Sequence, residues 1–76
     1  MKTIYSDEYI NIITNLRNAR LKKQITQNEL ATKLGVNQSF VSKVENRERR
    51  LDVVEFICWI DALKISIQDV FPQKFF

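Results

Sequence analysis

The chain has no histidine and only one cysteine, one glycine, one proline and one tryptophan in 76 residues. Without histidine, the usual zinc ligand sets and imidazole acid–base catalysis are out of reach. Cys58 has no second cysteine to pair with, which excludes an internal disulfide and fits a reducing compartment. It has no basic neighbour in sequence and reads as an inert helix residue. No apolar run approaches the roughly 20 residues that cross a bilayer. The opening MKTIYSDEYI also lacks the apolar stretch of a signal peptide. With no phosphate-cradling glycine loop either, the expectation is a cytoplasmic protein that is not an enzyme. It should have no cofactor, no metal and no membrane partner, and no small-molecule ligand is evident.

What is present suits one small domain over residues 1–76, with 45% hydrophobic and 28% charged residues. The net charge of +3 is unevenly spread. Between Arg17 and Arg50 lie nine basic and three acidic residues, and the rest of the chain carries three basic and six acidic. A basic middle flanked by acidic ends favours a polyanionic partner.

Scarce glycine and proline, with no alternating apolar and polar runs, argue against strands. Helix starts are marked repeatedly instead. A capping residue with an apolar residue just before it and another four positions after it forms a hydrophobic staple. The pattern occurs at Ser6 (Tyr5, Ile10), Thr26 (Ile25, Leu30), Asn37 (Val36, Val41), Asp52 (Leu51, Phe56) and Ser66 (Ile65, Val70). Thr26 with Glu29 and Asp52 with Glu55 also satisfy the reciprocal capping box. Five helices are therefore predicted, at about 6–23, 27–34, 38–46, 53–64 and 67–71, with Pro72 closing the last and 72–76 as a tail. Helical spacing nominates Ile13, Leu16, Leu30, Ala31, Leu34, Val41, Val44, Phe56, Trp59, Ile60 and Leu63 for the core.

Gly35 stands just past helix 27–34, and residue 36 already precedes the next cap. The turn must be tight, and a left-handed glycine satisfies the last carbonyls without steric cost. Two short helices joined this way describe a helix-turn-helix. A helical hairpin in a plain structural bundle has the same spacing.

TQNELATKLGVNQSFVSKVEN, with LRNAR before it and RERRLDVVEFICWIDAL after it, resembles the Cro/C1-type helix-turn-helix proteins. These include phage repressors, restriction–modification controllers and some antitoxins. The likeness covers about residues 13–71 and rests on Leu30, Ala31, Leu34, Gly35, Val36, Val41 and Val44 together. It implies an all-α, five-helix, lambda-repressor-like domain with its helix-turn-helix at about 27–46. Helix 38–46 would lie in the major groove while helix 27–34 crosses the backbone.

With Val41 and Val44 inward, the outward face of helix 38–46 carries Gln38, Ser39, Ser42 and Lys43. These are the expected base contacts: Gln suits adenine N6/N7, Ser donates or accepts, and Lys reaches guanine or a phosphate. Phe40 is a possible contact at the DNA edge, or folds over its own helix. Gln27 and Asn28 open a helix whose free N–H groups favour an anion. With Asn46, Arg47, Arg49 and Arg50 they are the expected backbone contacts, and one arginine could enter the minor groove.

The resemblance further implies an ion pair between Arg20 and Glu45 that orients the recognition helix. One departure is that ENRER stands where relatives often have ERGER, so Asn46 is expected to take the left-handed conformation in place of a glycine. The family's fifth helix implies a homodimer, with Ile67, Val70, Phe71, Phe75 and Phe76 at the interface. Alternatively, Val70 and Phe71 complete the monomer core. The expected function is a double-stranded DNA-binding transcriptional regulator, a repressor or controller, acting as a homodimer on a two-fold symmetric operator. The second reading is an antitoxin or interaction module whose main ligand is another protein.

Overall fold

The structure, a computed structural model, describes residues 6–75. Four α-helices run in order as α1 (Asp7–Lys22), α2 (Gln27–Leu34), α3 (Gln38–Glu45) and α4 (Val53–Leu63). Two single 3-10 turns follow, Ile67–Asp69 and Gln73–Phe75, and no strand occurs among the described residues.

Each α-helix begins at a cap marked in the sequence. Ser6, Thr26, Asn37 and Asp52 accept the backbone N–H three residues on, at 3.2, 3.0, 3.0 and 2.7 Å. Glu29 and Glu55 close the two capping boxes by accepting from the N–H groups of Thr26 and Asp52, at 2.8 and 3.0 Å. The staple partner Tyr5 lies outside the described residues.

The helix ends are equally uniform. In each, two successive N–H groups fold back onto helix carbonyls in the Schellman pattern. Gln24 donates to Leu21 and Ile25 to Arg20, Gly35 to Thr32 and Val36 to Ala31, Arg47 to Val44 and Glu48 to Lys43, Lys64 to Asp61 and Ile65 to Ile60. The motif needs a left-handed residue, and Gln24, Gly35, Arg47 and Lys64 supply it with φ of 59°, 73°, 61° and 56°. Only one of the four is a glycine.

The predicted fifth helix is corrected to a single turn. Asp69 accepts from the Ser66 N–H at 3.0 Å and starts it. Pro72 then denies the chain another helical residue, because it lacks an N–H and disfavours helical backbone in the residue before it. Residues 73–75, expected as tail, form the second turn, and Lys74 reaches Glu8 of α1.

The core gathers Ile13 and Leu16 of α1, Leu30 and Ala31 of α2, Val41 and Val44 of α3, Trp59 and Leu63 of α4, together with Leu51 and Val70. Leu34, Phe56 and Ile60, predicted for the core, pack half-buried at its margin. Two long-range bonds tie the C-terminal half onto α1: the Leu51 N–H donates to the Tyr9 hydroxyl at 3.1 Å, and Asn15 Nδ2 donates to the Val70 carbonyl at 2.7 Å.

Candidate nucleic-acid interface

The turn between α2 and α3 is only three residues long because Gly35 reverses the chain at once and Asn37 already caps the next helix. A Cβ built on Gly35 would meet no atom within 4 Å, so glycine is needed here for its backbone angle and not for space. Val41 and Val44 are buried, and they fix which side of α3 faces the protein. On the other side, Gln38, Ser39, Ser42 and Lys43 line one shallow depression. Gln38, Ser39 and Lys43 are exposed and Ser42 is half-buried. The Ser39 hydroxyl donates to Asn37 Oδ1 at 2.8 Å, which leaves its oxygen as an outward acceptor.

The C-terminal end of α3 is anchored from below. Arg20 Nε and Nη2 donate to the two carboxylate oxygens of Glu45, at 2.7 and 3.0 Å, and Arg20 Nη1 donates to the Ile25 carbonyl at 2.7 Å. Both residues are buried. Such a fork satisfies both charges at once, which a buried pair requires. Gln27 joins this network by donating from Nε2 to Glu45 Oε1 at 2.9 Å, so the first residue of α2 is tied to the last of α3. Arg17 stands 3.9 Å from the same oxygen with its side chain largely in solvent.

The basic loop divides its residues between two faces. Arg47 takes the left-handed angle expected of Asn46, whose φ is −85°. The left-handed residue thus falls one position later than expected, at the position where the Cro/C1-type pattern often has glycine. Arg49 turns away from the outward face of α3. It gives two bonds of 2.9 Å to the Glu55 carboxylate and sits 4.3 Å from the centre of the Phe40 ring. This fork holds the Glu55 carboxyl below the usual carboxylate range and raises Arg49. Phe40 in turn packs 6.0 Å from Trp59, so its ring bridges α3 and α4 and is half-buried. Asn28, Asn46 and Arg50 are exposed, and Arg47 is half-buried.

Two participants escaped the sequence reading. Glu48 lines the same depression as the four outward residues of α3. Glu55 engages the arginine assigned to DNA from six positions away, across a loop, where no helical spacing rule applies. For the dimer surface, Val70 is fully buried in the monomer and cannot be a contact. Phe71 is half-buried, 5.5 Å from Phe56 and 6.2 Å from Phe75. Ile67 and Phe75 are exposed, and Phe76 lies outside the described residues. No helix among the described residues is long and apolar enough to cross a membrane, and none of them form a cluster that could hold a metal ion.

A short helix crossed by another, anchored at one end and polar along its outward side, defines the helix-turn-helix class of DNA-binding proteins. The chain belongs to the helix-turn-helix family, of Cro/C1 type, whose model matches residues 16–70. It is accordingly a DNA-binding transcriptional regulator. No curated protein matches it significantly. Among solved structures it is similar to the restriction-modification controller protein C.AhdI from Aeromonas hydrophila, with 29% identity, 82% of this chain and 94% of that one covered, and a TM-score of 0.74. A point mutant of the restriction-modification controller protein C.Esp1396I superimposes with a TM-score of 0.76 at 25% identity, over 83% and 80% of the two chains. A hypothetical transcription factor NHTF from Neisseria gives 0.78 at 26% identity, over 90% and 79%.

Proposed function

We propose that the protein controls transcription as a homodimer that places two copies of α3 in successive major grooves of a two-fold symmetric operator, with half-site centres about 34–36 Å apart. The observation that carries this reading is the shared depression formed by Gln38, Ser39, Ser42 and Lys43 on a helix whose opposite side is core. These four side chains meet bases. Asn28, Asn46, Arg47 and Arg50 meet phosphates, together with the N-terminal N–H groups of α2 beside Gln27. Gln27 adds a second role, since its amide spans from that terminus to Glu45. Arg49 reaches phosphate only by leaving Glu55. The likeness to two restriction-modification controllers supports a controller or repressor among regulators.

The dimer contact moves toward α4. Val53, Val54 and Ile57 are 71%, 65% and 59% exposed on one side of that helix, a larger apolar surface than Ile67 and Phe75 provide. A symmetric pairing through this side would cover all three.

The test is selection of bound duplexes from a random pool, followed by a salt titration. A two-fold symmetric consensus is expected, with log K falling linearly against log salt by about 0.9 per phosphate neutralised. Flat salt dependence, or no duplex binding at low salt, removes the reading in favour of a protein ligand.

A further inference from the structure

At the end of α3 the chain sets one acid, Glu48, among the arginines of the basic loop. Glu48 is the second residue of the Schellman motif, held by its N–H to the Lys43 carbonyl at 2.8 Å while Arg47 takes the left-handed angle. That second position normally carries an apolar residue that packs back on the helix. The other three helices follow the rule with Ile25, Val36 and Ile65, each packed against the core. Glu48 is instead exposed, and the motif folds it back beside Ser42 and Lys43 in the depression that also holds Gln38 and Ser39. Among the described residues, no cation stands within ion-pair distance of it. Its neighbour Arg49 faces the other way, onto Phe40 and Glu55.

We propose that Glu48 is a specificity-determining residue of the DNA interface, accepting a hydrogen bond from the exocyclic amino group of a cytosine. This rests on the DNA-binding reading given above. An ionised carboxylate only accepts, so phosphates, guanine O6/N7 and thymine O4 all repel it. In the major groove the available donors are cytosine N4 and adenine N6, and adenine presents the acceptor N7 beside its donor. Cytosine is the base that offers a donor without that opposition. The same charge disfavours every duplex that lacks the donor at this position, so Glu48 selects by penalty as well as by contact.

The experiment is random-pool selection with the intact protein and with Glu48→Gln, followed by binding of both to the selected duplex and to a scrambled one at a single salt concentration. The wild-type consensus should carry cytosine at one symmetric pair of positions. Glu48→Gln should lose that preference alone, bind the scrambled duplex more tightly, and show a selected-to-scrambled ratio lower by about fivefold or more. Its thermal midpoint should match wild type, as befits an exposed side chain. Identical base preferences at every position, with an equal gain on both duplexes, would overturn the assignment and reduce Glu48 to a uniform charge. A wild-type protein that selects no consensus would overturn the sequence-specific reading itself, a result distinguishable from the first.

Discussion

Arg20 of α1 grips Glu45, the last residue of α3, through two near-parallel hydrogen bonds of 2.7 and 3.0 Å, with the Arg20 and Glu45 residues only 5% and 7% exposed. The pair ties the end of α3 to α1 from inside the protein. Removing the arginine strands a buried carboxylate, so Arg20→Ala should cost about 3–5 kcal/mol. Arg20→Lys keeps the charge but not the fork and should fall between. Chemical denaturation of the three proteins measures both, and an unchanged midpoint for Arg20→Ala would contradict the role given to the pair.

Four left-handed positions with one glycine give a prediction of opposite signs. Gly35→Ala meets open space, so its cost is the backbone angle alone, about 1 kcal/mol or slightly more. Gly35→Val should cost more. Conversely, Lys64→Gly and Gln24→Gly relieve the same angle and should raise stability by up to about 1 kcal/mol, since both side chains are exposed. Urea midpoints with unchanged slopes would establish all four.

Gln38 is exposed, so Gln38→Ala should leave the thermal midpoint unchanged. It should weaken binding to the selected duplex by the roughly 1–3 kcal/mol of one base contact and relax preference at a single symmetric pair of positions. Fluorescence anisotropy on matched and mismatched duplexes reads this out. An equal loss on every sequence would place Gln38 on the backbone instead.

Acid should weaken the fold through identifiable carboxylates. Glu55 is held below the usual carboxylate range first by the Arg49 fork and then by the Asp52 N–H. The Thr26 bonds lower Glu29, and Lys74 lowers Glu8. A carboxyl whose pKa is depressed on folding contributes stability that is fully present above its unfolded value, about 4.3, and is lost as pH falls through the folded value. Thermal midpoints should therefore decline below about pH 4.3. Glu55→Gln should start lower at pH 7 and show a shallower acid decline.

Ile57→Asp tests the α4 surface. Ile57 is 59% exposed in the single chain, so the substitution should leave monomer stability nearly unchanged. Sedimentation should show the variant shifted to monomer, with affinity for a full operator reduced to that of a half-site. Retention of the dimer would return the contact to Ile67 and Phe75.

The helix starts and the tight turn were legible in the sequence because they are local. A cap, its staple and its box span only about six residues, and Thr26, Asn37 and Asp52 capped where expected. The polar outward side of α3 was legible for a similar reason, since Val41 and Val44 at helical spacing leave Gln38, Ser39, Ser42 and Lys43 on the other side. The Arg20–Glu45 pair spans 25 positions and came from resemblance, not from any spacing rule.

Long-range packing governed the remainder. Arg49 reads as one more cation of a basic loop until Glu55 and the Phe40 ring, placed by α4 and its stack on Trp59, draw it aside. Val70 reads as either dimer surface or core until Asn15 binds its carbonyl and the core closes over its side chain. Glu48 reads as a stray acid until the left-handed Arg47 folds it into the depression beside Ser42 and Lys43. Short-range hydrogen bonding and periodicity thus wrote the helices and their polar side into the chain. Which loop charges lie with the outward side of α3 and which apolar groups are left uncovered depended on contacts between residues far apart in sequence, whose relative positions exist only once the helices have packed.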